Sequence, residues 1–221
     1  MRGLFKHLDS AAVAEQGCYA SKFLAQGNFE NVGKLGYHNA CEALSKSLLK
    51  HYKIAGVSSS AIKAMTILAV EPEYRSRMGK LGGCEGTVSA VNTHINEPAI
   101  VVQGMRLIAT MVIGNANNRT LLGEIDATTT IKNVLHTYSA LRDPNTDELA
   151  FPDIIQWACT GIYSLAAGSP QNQRRLQDAI PLLTALLGVI SAGVGSAVHA
   201  TSPTYDTILP EAQEALLRIS Q

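Results

Sequence analysis

GNANNRTLLGEIDATTTIKNVLHTY, residues 114 to 138, decides the fold, because weaker copies of it stand elsewhere in the chain. In this stretch Ile125 lies seven residues after Asn118, behind a polar turn. Upstream, GNFENVGKLGY places Leu35 seven residues after Asn28, and YRSRMGKLGG places Leu81 seven after Tyr74. Downstream, NQRRLQDAIP places Ala179 seven after Asn172. The reference residues at 35, 81, 125 and 179 lie 46, 44 and 54 apart. A period of roughly 40 to 47 residues is that of helical solenoids.

The copies share one grammar. A helix rich in small residues ends in an apolar pair: Leu24-Ala25, Leu68-Ala69, Met111-Val112 or Leu165-Ala166. A polar turn follows, then a short apolar segment, then Gly or Asp, then a second helix. That helix has helical spacing in Leu44, Leu48 and Leu49, in Val88 and Val91, in Ile131, Val134 and Leu135, and in Leu182, Leu183, Leu186 and Leu187. None of these segments is long or apolar enough to stand alone. Stacked side by side they share one core.

The KLGY, KLGG, EIDA and DAIP turns and the third-helix segments EQGCYASKFLA and IQWACTGIYSLA resemble the armadillo repeat family, above all its divergent protist-type arrays. The resemblance runs from about Ala11 to the C-terminus, as four junctions and a further third helix, EAQEALLRIS. It implies an all-α, right-handed α-solenoid of about four armadillo-like or HEAT-like units. Residues 1–221 then form a single repeat domain, with units near 1–25 (partial), 26–69, 70–113, 114–166 and 167–221.

Eighteen basic and eighteen acidic residues balance to zero, which removes the usual electrostatic warrant for a nucleic-acid partner. Aromatics make up only 5% of the chain, as suits helices packing closely through small side chains. The opening MRGLFKHLDS reads as a capping helix; Asp9 counts against a transit peptide, and Arg2 stands where N-myristoylation needs Gly. With no apolar run near 18 residues, no membrane insertion is expected. Neither end offers an obviously polar cap helix, so the expectation is a fragment of a longer array or a subunit buried at both ends in a larger complex.

The links before the third helices vary most: KIAGVSSS (53–60), HINEP (94–98), ALRDPNTDELAFP (140–152) and SAGVGSAVHATSPTYDT (191–207). Sharing one phase of the repeat, they are expected along one edge, as partner contacts or as tolerated drift. The third carries the turn signal Asp143-Pro144-Asn145, and the fourth is rich in Gly, Ser and Pro.

Four cysteines, Cys18, Cys41, Cys84 and Cys159, lack any C-x-x-C pair and read as buried thiols, so the expected setting is reducing, intracellular and cytoplasmic, with mitochondrial or ciliary assembly as alternatives. His51, His94 and His136 fall near the ends of second helices, where a cation suits the helix C-terminus. No metal-ligand spacing, nucleophile elbow or phosphate loop is present, so no metal, cofactor or catalytic residue is expected. Asn118-Arg119-Thr120 fits the glycosylation triplet but reads as a helix-end device. A small helical enzyme around His136, Asp143 and Glu148 is a remote alternative, since nothing in the spacing positions those groups.

In armadillo proteins the third helices line a concave groove, and residues four apart face the ligand. The resemblance therefore implies a stripe of Glu15, Tyr19 and Phe23; Ser59, Lys63 and Ile67; Val102, Arg106 and Thr110; Gln156, Thr160 and Ser164; and Glu214 and Arg218. Its central row is Tyr19, Lys63, Arg106, Thr160 and Glu214. The Trp and Asn ladder of nuclear-import adaptors is missing: Trp157 stands beside the stripe, and Phe23, Ile67, Thr110, Ser164 and Arg218 occupy the Asn positions. Lys63 and Arg106 are the only adjacent cations on it, enough for one acidic side chain or a helix C-terminus of a partner. The expected function is a non-enzymatic scaffold or structural subunit that binds a peptide or neighbouring subunit through this groove, the insert edge or the chain ends. An alternative is the armadillo arm of a larger multidomain signalling or ciliary protein.

Overall fold

Several helix starts carry a local signal in their own sequence. Ser10, Asn28, Asn115 and Ser169 each accept a hydrogen bond from the backbone N–H three residues on, and Pro72, Pro98, Pro152 and Pro170 stand in first turns, where no N–H is missed. A computed structural model describes residues 1–144, 149–194 and 203–220. Along them run α1 (Arg2–Lys6), α2 (Ala11–Ala25), α3 (Phe29–Tyr37), α4 (Ala40–His51), α5 (Ala55–Leu68), α6 (Pro72–Lys80) and α7 (Gly83–Thr93). Then follow α8 (Pro98–Met111), α9 (Ala116–Glu124), α10 (Ala127–Ser139), α11 (Pro152–Ala166), α12 (Pro170–Leu176) with a 3-10 turn Gln177–Ala179, α13 (Ile180–Val194) and α14 (Pro203–Ile219). Among the described residues there is no β-strand, only an isolated bridge between Arg142 and Leu149.

The helices pack in rows. α5 lies between α2 and α8, and α11 between α8 and α14. α7 lies against α4 and α10, while α9 lies against α6 and α12. One hydrophobic core runs unbroken from Cys18 to Ile219 through Leu44, Met65, Ile108, Leu135 and Ile162. The fold is therefore all-helical with a repeating pattern of contacts. Asn145 and Glu148, and residues 195–202 of the Gly-rich link, lie outside the described residues.

α12 passes into α13 through the 3-10 turn, whereas in the first three copies a left-handed backbone residue turns the short helix into the next one: Asn39, Gly82 and Asp126, with φ of 59°, 83° and 59°. These stand 43 and 44 residues apart, as do the helix caps Asn28, Glu71 and Asn115. This corrects the register of the first copy. The counterpart of Leu81 and Ile125, which end their short helices, is His38 and not Leu35, which is buried inside α3. The longer step to the Ser169 cap, 54 residues from Asn115, comes from the link between α10 and α11.

Two side chains tie successive short helices together. The Asn118 amide donates to Met111 O (3.0 Å), at the end of its own preceding helix, and to Arg75 O (2.9 Å) on α6. Asn172 does the same with Leu165 O (3.0 Å) and Arg119 O (3.1 Å). Each Oδ1 rests where a Cβ would stand on Gly79 or Gly123, 1.9 Å from the ideal Cβ position, so only Gly admits the approach. In the preceding copy Tyr74 occupies the same place and lies against Gly36.

His51, His94 and His136 all stand near helix ends, as expected, and a second column of contacts runs through two of them. His51 Nε2 lies 2.7 Å from Leu8 O, His94 Nε2 2.9 Å from Tyr52 O, and Tyr138 Oη donates to Ile95 O at 2.8 Å. Each bonds a carbonyl 42 or 43 residues back, beyond the end of an earlier helix. The third member is Tyr138, buried and edge-on to Phe151; His136 is exposed and outside the column.

Candidate functional site

Helices α2, α5, α8, α11 and α14 are apolar on the sides that meet each other and the core, which leaves one stripe of each open. On α2 this stripe holds Tyr19 and Phe23, half exposed, with ring centroids 4.6 Å apart. On α5 the partly exposed side chains are Ser59, Lys63 and Ile67; on α8 they include Val102 and Thr110, with Arg106 exposed. Gln156, Thr160 and Ser164 follow on α11 at intermediate burial, and Glu214 is exposed on α14. The four-residue spacing thus places the expected residues on accessible faces.

Their chemistry divides the stripe in two. Toward the C-terminus the polar groups are engaged within the chain. The Thr160 hydroxyl donates to Gln156 O (3.0 Å), Gln156 Nε2 donates to Glu211 Oε1 (3.1 Å), and Ser164 O accepts from Arg119 Nε (3.2 Å). Arg218 donates to Tyr163 Oη (3.3 Å) with its guanidinium 4.9 Å from the ring centroid. On α8 the Thr110 hydroxyl is likewise turned back onto Arg106 O (2.8 Å).

Toward the N-terminus, Lys63 and Arg106 line one cavity of about 460 Å³ together with Ile67, Gln103 and residues of the α2–α3 turn. Sequence reasoning missed Lys22, which lines it too. Lys22 follows Tyr19 by three residues, the spacing that puts two side chains on one helical face, so the signal was present. Its Nζ lies 4.2 Å from the Phe23 centroid and 5.2 Å from that of Tyr19, while the Arg106 guanidinium lies 5.4 Å from the Trp157 centroid. Among the described residues none of the three cations forms an ion pair, and no Asp or Glu lines the cavity. The arrangement can attract an anion and bury apolar surface beside it.

The four cysteines are free and buried, and desolvation pushes each thiol up to about 12 from its ordinary 9.0. Among the described residues no cluster of three His, Cys, Asp or Glu side chains could hold a metal ion. No helix there is long and apolar enough to cross a membrane.

No protein-family model matches the chain, and no curated protein does. Solved structures do match. One crystal structure of an engineered protein from the Northeast Structural Genomics Consortium superposes with a TM-score of 0.60 at 17% identity, covering 99% of each chain. A second engineered protein from the same consortium gives 0.62 at 14% identity, over 96% of this chain and 92% of its own. At such identities the likeness concerns the fold alone. It extends along almost the whole length, so the all-helical architecture is one that solved proteins adopt.

Proposed function

We propose that the chain is a right-handed solenoid of about four armadillo-like units and acts as a non-enzymatic scaffold, binding a peptide or a neighbouring subunit on the open stripe of α2, α5, α8, α11 and α14. The observation that carries this is the meeting of Lys63 and Arg106, 43 residues apart in sequence, at one cavity on that stripe. Supporting the solenoid are the 43- and 44-residue steps of the caps and left-handed turns, and the Asn–Gly contacts that repeat from one short helix to the next.

Concave, partly apolar surfaces with a few convergent polar groups are where ligands settle. Aromatic and Arg side chains carry a large share of binding energy at such surfaces, and Tyr19, Phe23 and Arg106 supply both kinds here. Peptides selected against the whole chain from a random library provide the test. Alanine at both Lys63 and Arg106 should weaken them about tenfold at unchanged helicity. Equal affinity for the double variant would remove this stripe as the binding surface.

A further inference from the structure

We propose that the cavity ringed by Lys22, Lys63 and Arg106 holds an acidic, linear peptide segment, with its carboxylates on the three cations and an apolar side chain against Ile67 and Val32. This rests on the open helical stripe being a binding face and names the chemistry of what binds.

The first argument is charge. The chain as a whole is neutral, yet three cations from three different helices converge here without a carboxylate among the lining residues. Of the acids nearest in sequence, none of Glu15, Glu30 and Glu71 lines the cavity. The Glu15 carboxylate lies over Gly56 at the start of α5, and Glu30 pairs with Lys34 at 2.6 Å. Elsewhere cations do find acids: Arg77 grips Glu42 with both oxygens at 2.8 Å, and Lys132 holds Asp178 at 2.6 Å. A local excess of unneutralised positive charge around a concavity selects anionic segments and speeds their encounter.

The second argument is how the cations are held. Lys22 lies over the Phe23 and Tyr19 rings, and Arg106 over Trp157. An aromatic face orients a cation while leaving its formal charge and its hydrogen-bond donors available. A carboxylate partner would have cancelled both. Arriving carboxylates meet donors whose rotamer freedom is already restricted, which lowers the entropy lost on binding.

The third argument selects a peptide over a nucleic acid. Val32, Ile67 and Val70 sit among the cations, and Phe29 on the rim is 82% exposed. A floor of branched aliphatic side chains suits an apolar residue flanked by acids. A phosphodiester backbone would call for a longer track of cations, and the stripe beyond Arg106 continues through Gln156, Thr160 and Glu214.

Fluorescence anisotropy of a labelled peptide alternating Glu with Phe, titrated with the full chain at low and raised salt, tests the assignment. The expected result is saturable binding that weakens with salt and falls at least about tenfold in the triple variant Lys22→Gln, Lys63→Gln, Arg106→Gln. Lys53→Gln, which removes an aromatic-supported lysine away from the cavity, should bind like the parent. Circular dichroism of the variants should match the parent, since the three side chains are not part of the core. Absence of binding at low salt overturns the proposal, and so does unchanged affinity in the triple variant. If the same peptide with Gln for Glu binds as tightly and Tyr19→Ala weakens it, the helical stripe remains a binding face but its acidic specificity is overturned. Displacement of the Glu peptide by a lower concentration of single-stranded polyuridylate would assign the cavity to nucleic acid instead.

Discussion

Gly79 and Gly33 both sit inside short helices, and their surroundings reverse the expected effect of the same substitution. A Cβ on Gly33 meets nothing within 4 Å, so Gly33→Ala should stabilise by about 0.5–1 kcal/mol, through reduced freedom of the unfolded chain. A Cβ on Gly79 would stand 1.9 Å from Asn118 Oδ1 and push the amide off both of its carbonyls. Gly79→Ala should therefore destabilise by about 1–3 kcal/mol. Chemical denaturation of the two variants beside the parent reads the difference in sign. Asn118→Ala should cost about 1–3 kcal/mol, because it removes the amide's bonds to Arg75 O and to Met111 O and leaves the latter, at the buried end of α8, without this donor. If Asn118→Ala were neutral, the amide would not be tying α9 to α6. Asn118 belongs to a possible glycosylation triplet in sequence, but it is only 3% exposed and its amide is fully used.

Helix ends are joined across the rows by His51, His94 and Tyr138, and this contact separates structural histidines from ordinary ones. His94→Leu removes a donor from Tyr52 O and the contact with Glu97 at 2.7 Å, and should lower stability by about 1–3 kcal/mol. His136→Ala, on an exposed position of the same kind of helix, should change it by less than about 0.5 kcal/mol. Thermal melts of both variants settle whether position in the 43-residue column or mere closeness to a helix end governs the effect. The sequence grouped His136 with the other two because all three lie near helix ends. Alignment at the left-handed turns, 39, 82 and 126, would have put Tyr138 in its place, since 51, 94 and 138 keep the same steps of 43 and 44.

Over the whole molecule, one continuous core carries a cysteine in each of α2, α4, α7 and α11, and this makes stability depend on alkaline pH. Burial raises each folded-state thiol to about 12 from 9.0, so between these values the folded chain binds more protons than the unfolded one. Stability contributed by the neutral thiols is complete below about 9 and is lost as pH rises toward about 12. The melting temperature should fall through that window, and a variant with all four cysteines changed to Ala should lose less of it from its own lower starting point. Iodoacetamide near neutral pH should leave the native chain unlabelled and label it once unfolded. Rapid labelling of the native protein would contradict the burial.

The sequence by itself determined that the chain is helical and that its helices recur, because apolar spacing is a local signal that tertiary contacts reinforce. It did not fix where each helix starts, since the link read at 53–60 runs into α5, which begins at Ala55. The end of α2 is legible from the apolar pair Leu24-Ala25 that closes it. The armadillo resemblance chose a stripe through Tyr19, Lys63 and Arg106, and these side chains are exposed or partly exposed. Only the tertiary structure decided which residues of successive copies correspond. A one-dimensional match to Leu35 is as good as one to His38, and the left-handed backbone at Asn39 breaks the tie. It alone also brought Lys22, Lys63 and Arg106 to one cavity, since whether cations on three helices converge depends on how those helices stack, and stacking is set by contacts about 40 residues apart, such as Asn118 on Gly79 and Arg75.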